Sequence, residues 1–124
     1  MLSNFPVTAT LPAVDIERAK DFYQNKLGLK LAGTADDGGM TFEAGNGTTI
    51  FLYQRGATKA DHTAASFRVD NLETEMAELR SRGVVFEDYD FPGLKTENGV
   101  ATHGNIKAAW FKDTEGNILG LSQM

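Results

Sequence analysis

The sequence predicts an α+β fold in which two βαβββ modules form a curled mixed sheet around a concave cavity, with the helices on the outside. Two observations support this prediction. The order strand–helix–strand–strand–strand occurs twice, over residues 5–55 and 62–124. Short segments also correspond between the copies, such as Val14-Asp15-Ile16 and Val69-Asp70-Asn71. The 124 residues are therefore expected to form a single domain, 1–124, made of two modules.

The first module starts with a strand over residues 7–12, in which apolar residues alternate with threonines. Asp15 is placed to cap a helix whose apolar residues recur at helical spacing until Gly28. Three further strands are predicted at residues 29–33, 40–43 and 48–54. Asn46-Gly47 indicates the turn before the last of them. The polar segment 55–61 separates this module from the next.

The second module repeats this order of elements. Residues 62–69 alternate as a strand, and Asp70 with Glu73 predicts a capping box for a helix that ends at Gly83. Three more strands are predicted at residues 84–89, 107–112 and 117–123. The intervening segment 90–105 is rich in Gly, Thr and Asn. A connection of this length in a compact domain is usually functional or mobile.

Composition excludes several classes of function. The chain has no cysteine, which excludes disulfides, thiolate metal sites and cysteine nucleophiles. Its net charge of −5 argues against nucleic acid as a partner. No apolar run is long enough to span a membrane, and the amino terminus does not resemble a signal peptide. A cytoplasmic protein with no membrane partner is expected.

Three groups of residues resemble signatures of the vicinal-oxygen-chelate superfamily, which contains glyoxalase I, bleomycin-resistance proteins and extradiol dioxygenases. The first group is Asp15 to Tyr23 with Leu27-Gly28-Leu29. The second is Val69-Asp70-Asn71-Leu72 with Arg82-Gly83-Val84, and the third is Phe111 to Asn117. The resemblance spans nearly the whole chain and implies the same two-module fold. The resemblance further implies that, in the superfamily's enzymes, His, Gln or Glu side chains of the first and fourth strands hold a divalent metal.

The metal positions implied by this resemblance fall on Thr8, Phe51, Ala64 and Gly120. Divalent metals in such sites require several imidazole or carboxylate ligands at about 2.0–2.3 Å. These four residues supply neither group, and the neighbouring strand positions supply none. We therefore expect no metal and no cofactor. Gly120 is notable for a second reason, because a glycine in mid-strand often marks close approach by another group.

The concave face is expected to form an apolar and aromatic pocket for a planar or aromatic small molecule. The candidate ligand-binding residues are Thr8, Thr10, Phe51, Tyr53, Ala64, Ser66, Lys95, His103, Trp110 and Gly120. Lys95 closes the segment Phe91-Pro92-Gly93-Leu94-Lys95, which resembles a lid over the pocket. Lys95 and Arg68 are candidate partners for an acidic group on the ligand. Trp110 either stacks on the ligand or packs in the core or at a dimer interface.

Two functions are consistent with the sequence. The first is a metal-independent small-molecule-binding protein of the bleomycin-resistance type, acting as a homodimer. The alternative is a glyoxalase-like lyase, isomerase or dioxygenase. It would need a divalent metal held by residues not placed here, or an acid–base pair such as His103 with Glu43. The sequence does not decide whether the protein is an enzyme, nor whether modules pair within one chain or between chains.

Overall fold

The computed structural model describes residues 1–124, which divide into two compact units, residues 1–59 and 60–124. Each unit contains a four-stranded mixed sheet and one α-helix. This architecture confirms the α+β class and the two βαβββ modules. Neither α-helix has the length and apolar character that a membrane span requires.

The first unit contains four strands and one α-helix. They are β1 (Ala9–Ala13), α1 (Ile16–Asp21), β2 (Lys30–Thr34), β3 (Met40–Glu43) and β4 (Thr49–Gln54). The strand order is β1-β4-β3-β2, with β1 parallel to β4 and the other neighbours antiparallel. A π-helical turn, Phe22–Lys26, continues α1.

The core of the first unit forms where helix and sheet bury their apolar faces. The Asp15 side chain accepts a hydrogen bond from the Arg18 amide at 3.1 Å, so the predicted N-cap is confirmed. Tyr23 is fully buried, and its ring centroid lies 5.7 Å from that of Phe42 on β3. Asn46, at φ 55°, occupies the left-handed region that this tight turn requires.

The second unit contains six strands and one α-helix. They are β5 (Thr63–Arg68), α2 (Leu72–Ser81), β6 (Asp90–Phe91), β7 (Leu94–Lys95), β8 (Ala101–His103), β9 (Ile106–Lys112) and β10 (Ile118–Gln123). The main sheet has the order β5-β10-β9-β8, with β5 parallel to β10. Strands β6 and β7 form a separate hairpin, and α2 packs on β9 and β10.

The start of α2 differs from the predicted capping box of Asp70 and Glu73. The N-cap is Asn71, whose side chain accepts a hydrogen bond from the Thr74 amide at 3.0 Å. The Leu72 amide, which has no partner within the helix, donates a hydrogen bond to the Gln123 side chain at 2.7 Å. The capping-box prediction was wrong because the helix begins one residue later.

The prediction of a strand at residues 84–89 was also wrong, because no regular strand forms there. Phe86 forms only an isolated bridge with Phe111, and the Glu87 amide donates to the Trp110 carbonyl at 2.8 Å. The other half of this edge of β9 pairs with β8. Residues 86–87 and strand β8 thus pair with different parts of the same edge of β9. The residues between them contain the β6–β7 hairpin and are not a structureless loop.

Candidate ligand-binding site

Trp110, Gly120 and Ser66 lie side by side across the sheet of the second unit. Gly120 on β10 pairs with Trp110 on β9 and with Ser66 on β5. Leu119 and Leu121 point to the other face, where they are buried on the side of α2. Trp110 therefore lies on the sheet face opposite α2, a point that strand alternation alone left open.

Gly120 provides the space in which its two neighbours sit. A Cβ atom at this position would lie 2.8 Å from Ser66 Oγ and 3.4 Å from Trp110 Cδ1. The first distance is shorter than van der Waals contact allows. The absence of a side chain thus leaves room for the Ser66 hydroxyl, while the indole of Trp110 lies at van der Waals distance from this position.

A cavity of about 450 Å³ opens next to Trp110 on this face. We call it the aromatic cleft. Its walls are mostly apolar or aromatic and carry two hydroxyls; they come from Thr63, Tyr89, Phe91, Leu94, Trp110 and Ile118. The Tyr89 ring centroid lies 5.6 Å from that of Trp110 at 68°, and 5.8 Å from that of Phe91 at 58°. The ring of Tyr89 is therefore inclined to both neighbouring rings, and the exposed ring faces offer surfaces on which a planar molecule can pack.

A hydrogen-bond network positions Tyr89. The Tyr89 amide donates to the Thr96 hydroxyl at 2.8 Å, and that hydroxyl donates to the Asp88 carboxylate at 2.7 Å. The Gly99 amide donates to the same carboxylate oxygen at 2.9 Å. The Thr96 hydrogen bond, the Gly99 hydrogen bond and the charge of Arg80 lower the pKa of Asp88, in that order of size. Asp88 thus stays ionised and ties the hairpin segment together.

The phenol of Tyr89 is kept in its neutral form. Burial raises its pKa, and the negative charge of Glu87 raises that pKa further. A protonated Tyr89 hydroxyl can donate a hydrogen bond in the aromatic cleft.

Polar and charged side chains form the rim of the aromatic cleft. Lys112 Nζ lies 3.9 Å from Glu87 Oε1, and His62 Nδ1 lies 3.7 Å from Asp61 Oδ1. These pairs are long and solvent-exposed, so they contribute little to stability. The four groups can therefore turn toward polar groups of a ligand at little cost.

A β-bulge changes which residues of β5 reach the aromatic cleft. Thr63 opposes Ile118 and Ala65 opposes Leu119, so Ala64 is an extra residue in the ladder. Regular alternation would place Thr63 on the face opposite Ser66. Because of the bulge, Thr63 instead lines the aromatic cleft, and Ala64 does not.

Lys95 and His103 are not brought together with Trp110. In the β6–β7 hairpin Phe91 pairs with Leu94, and both line the aromatic cleft. Lys95 is one residue further along the strand and lines a different cavity next to α2. His103 is exposed near the end of β8 and pairs with Ile106.

The four candidates of the first unit share one face of its sheet. Phe51 on β4 pairs with Thr10 on β1, and Tyr53 pairs with Pro12. The hydroxyl oxygens of Thr8 and Thr49 lie 3.0 Å apart on the same face. Thr8 and Thr10 are exposed, whereas Phe51 and Tyr53 are half-buried. The apolar core of this unit lies on the opposite face.

Sequence reasoning missed several residues of the aromatic cleft. Strand alternation gave a signal for Lys112, since it lies two residues after Trp110. Tyr89 and Glu87 gave no usable signal, because the strand predicted over them does not form. Nowhere does the structure place three His, Asp or Glu side chains in a group that could hold a metal ion.

Comparison with known proteins identifies relatives of the whole chain. The family model described as Glyoxalase/Bleomycin resistance protein/Dioxygenase superfamily matches residues 6–121. No curated protein sequence matches significantly. Among solved structures, TnmS3, an antibiotic binding protein from Streptomyces sp. CB03234, is 23% identical, with 96% of each chain covered and a TM-score of 0.68.

Two further solved structures have the same fold. A glyoxalase/bleomycin resistance protein from Streptomyces sp. CB03234 is 26% identical, with a TM-score of 0.66. The match covers 94% of this chain and 100% of that one. The fosfomycin resistance protein FosX from Listeria monocytogenes is 14% identical, with a TM-score of 0.73 and coverage of 97% and 90%.

Proposed function

Since the chain belongs to the glyoxalase/bleomycin resistance protein/dioxygenase superfamily, we propose that it binds a planar or aromatic small molecule without a metal ion. The observation that carries this proposal is the aromatic cleft. Tyr89, Phe91 and Trp110 border a cavity of about 450 Å³, within the range of small-molecule pockets.

The residues at the superfamily's metal positions support the metal-independent part of the proposal. Thr8, Phe51, Ala64 and Gly120 offer no imidazole or carboxylate. At Gly120 the space next to the strand is used by Ser66 and the indole of Trp110. A structural relative, TnmS3, is an antibiotic binding protein. We therefore propose an antibiotic or a metabolite of similar size as the ligand.

Proposed contacts follow from the chemistry of the aromatic cleft. The aromatic part of the ligand packs on Trp110 and Phe91, and its polar groups reach the Tyr89 hydroxyl or the charged rim. In the first unit, the exposed hydroxyls of Thr8 and Thr10 with the rings of Phe51 and Tyr53 offer a comparable surface on one sheet face. We propose that these residues contact ligand as well.

The proposed assembly is a homodimer. Four apolar side chains near the amino terminus are largely exposed: Met1 at 97%, Leu2 at 82%, Phe5 at 64% and Val7 at 87%. Exposed apolar patches commonly mark association surfaces, and two-fold dimers are the commonest assemblies. Light scattering at micromolar concentration is expected to give twice the chain mass of 13.5 kDa. A monomer would contradict this part of the proposal.

Thermal unfolding in the presence of planar aromatic compounds, antibiotics among them, tests the proposed function. A compound that binds only the folded state at about 100 times its Kd adds about 2.7 kcal/mol and raises Tm. Phe91→Ala should remove most of this shift, because Phe91 lines the aromatic cleft and is 53% exposed. Val85→Ala is the matched control, since Val85 is 78% exposed and lies outside the cleft. No shift with any compound of a broad panel would contradict the proposal.

A further inference from the structure

A second and larger cavity, of about 580 Å³, lies within the second unit on the side of α2. Three of its residues, Glu73, Met76 and Arg80, form one stripe of α2 at positions i, i+3 and i+7. The facing wall comes from the segment after the hairpin, including Lys95, Glu97 and Val100. No residue lines both this cavity and the aromatic cleft.

Arg80 is held in place at this cavity. Its Nη2 donates a hydrogen bond to the Asn98 carbonyl at 2.9 Å, and Cζ lies 5.3 Å from the ring centroid of Phe86. Gly99 packs closely against it, because a Cβ there would lie 3.2 Å from Arg80 Nη2. The guanidinium has several N–H donors, so a fixed Arg80 still offers donors to a ligand.

Lys95 adds a second cation to the same cavity. It is exposed, and its ammonium forms no ion pair within the chain. A guanidinium and an unpaired ammonium lining one cavity favour a carboxylate, which accepts charge-assisted hydrogen bonds from both.

Two carboxylates line the cavity as well. Glu73 Oε1 lies 3.0 Å from Lys107 Nζ, and this hydrogen bond is the main reason that the pKa of Glu73 is lowered. Glu97 has no such partner, so its carboxylate is free to accept from a ligand ammonium group. A ligand with only one sign of charge would meet like charges as well as opposite ones.

From these side chains we infer a second ligand site, for a zwitterion with an apolar group, such as a free apolar amino acid. The ligand carboxylate binds Arg80 and Lys95, its ammonium binds Glu97, and its apolar group contacts Val100 and the edge of Met76. This inference does not depend on the function proposed for the aromatic cleft.

Free L-leucine is the probe, and titration is followed by amide and methyl NMR shifts. We expect saturable shifts at Val100 and Met76, and none at the indole N–H of Trp110, which lies in the aromatic cleft. L-Leucinamide lacks the carboxylate and 4-methylpentanoate lacks the ammonium. Each should bind at least about tenfold more weakly, the change that about 1.4 kcal/mol produces.

Variants at the exposed positions Lys95 and Glu97 separate specific binding from surface charge. Lys95→Gln and Glu97→Gln should each weaken leucine binding by about tenfold. Lys59→Gln, at an exposed lysine outside the cavity, should leave it unchanged. The inference is overturned if leucine causes no saturable shifts, if either analogue binds as well as leucine, or if both cavity variants bind it as the unchanged protein does.

Discussion

Gly120 does not line the aromatic cleft, but it pairs with Trp110, which does. A methyl group at this position would meet Ser66 Oγ at 2.8 Å and the indole of Trp110 at 3.4 Å. We predict that Gly120→Ala forces the Ser66 hydroxyl to rotate and crowds the edge of the indole, costs about 1 kcal/mol of stability, the low end for overpacked sites, and weakens binding of a ligand that packs on the indole. Urea unfolding and ligand titration of the variant measure both effects.

Gly33→Ala is the matched control for Gly120→Ala. Gly33 also lies in a strand, β2, but no atom lies within 4 Å of a Cβ built there. The control should change stability and binding little. Equal effects of the two substitutions would contradict the role given to Gly120.

Single residues of the site could be predicted only in part. Gly120 could be singled out from the sequence, since a glycine interrupts an otherwise regular strand, and its role in binding stays a prediction. Its neighbours could not be singled out, because contacts across a sheet depend on register. For Trp110, alternation could not decide which face is covered by the helix. For Thr63, the bulge at Ala64 reversed the face that alternation predicts.

Helix α2 offers a clear test at the level of one element. Asn71 caps its first turn through the Thr74 amide at 3.0 Å, whereas Asp70 lies outside the helix. Asn71→Ala should therefore lower the free energy of unfolding by about 1 kcal/mol. Asp70→Ala is the neighbouring control and should have a smaller effect. Chemical denaturation decides, and a larger loss for Asp70→Ala would restore the capping box.

The hairpin segment should respond to acid through Asp88. Its pKa is lowered from the ordinary value of 3.8, so its ionised form stabilises the fold above that value. This stabilisation is lost as the pH falls below 3.8 and through the lower folded-state pKa. Asp88→Asn keeps an oxygen acceptor for Thr96 and Gly99 but cannot titrate.

Thermal unfolding measured between pH 2 and pH 7 checks this prediction. The range extends about 2 pH units below and about 3 above the ordinary pKa of an aspartate. The acid-side decline of Tm should be shallower in Asp88→Asn than in the unchanged protein. Asp36→Asn, at an exposed aspartate, is the control and should keep the steeper decline. If Asp88→Asn declines as steeply as the control, the network around Asp88 does not contribute to acid stability.

Elements were more predictable than single residues, and the failures lie in residues 84–103, where one predicted strand does not form and strands β6, β7 and β8 were not predicted. The starts of both helices and seven of the ten strands were found within one or two residues, because hydrophobic period and turn signals are local. The strand at 84–89 failed because Val84 and Phe86 are buried in alternation yet pair with β9 only at Phe86. The hydrophobic period of a sequence indicates which residues are buried, whereas a strand of a sheet also needs a neighbouring strand to which it is hydrogen-bonded.

The hairpin shows the same limit for function. The segment from Phe91 to Lys95 was interpreted as one lid over one pocket. In the structure its residues alternate, so Phe91 and Leu94 line the aromatic cleft and Lys95 lines the cavity beside α2. The residues of this hairpin therefore line two different cavities.

For the molecule as a whole, comparing the two repeats shows which residues of the second unit add a candidate site to the common scaffold. Both units follow the order strand, helix and three sheet strands. The second unit carries additional residues, 88–100, between the two segments that share the edge of β9. This insertion supplies Tyr89, Phe91 and Leu94 to the aromatic cleft. Family membership follows from the scaffold, whereas three of the proposed ligand contacts come from these additional residues.

The most direct test of metal-independent binding is a fluorescence titration of Trp110, the only tryptophan of the chain. The titrant is a planar aromatic compound that raises Tm, added before and after treatment with EDTA. Because Trp110 lines the aromatic cleft, we predict a saturable change in its emission with the same Kd in both samples. Emission that does not saturate, or binding that disappears with EDTA and returns with a divalent metal, would contradict the account.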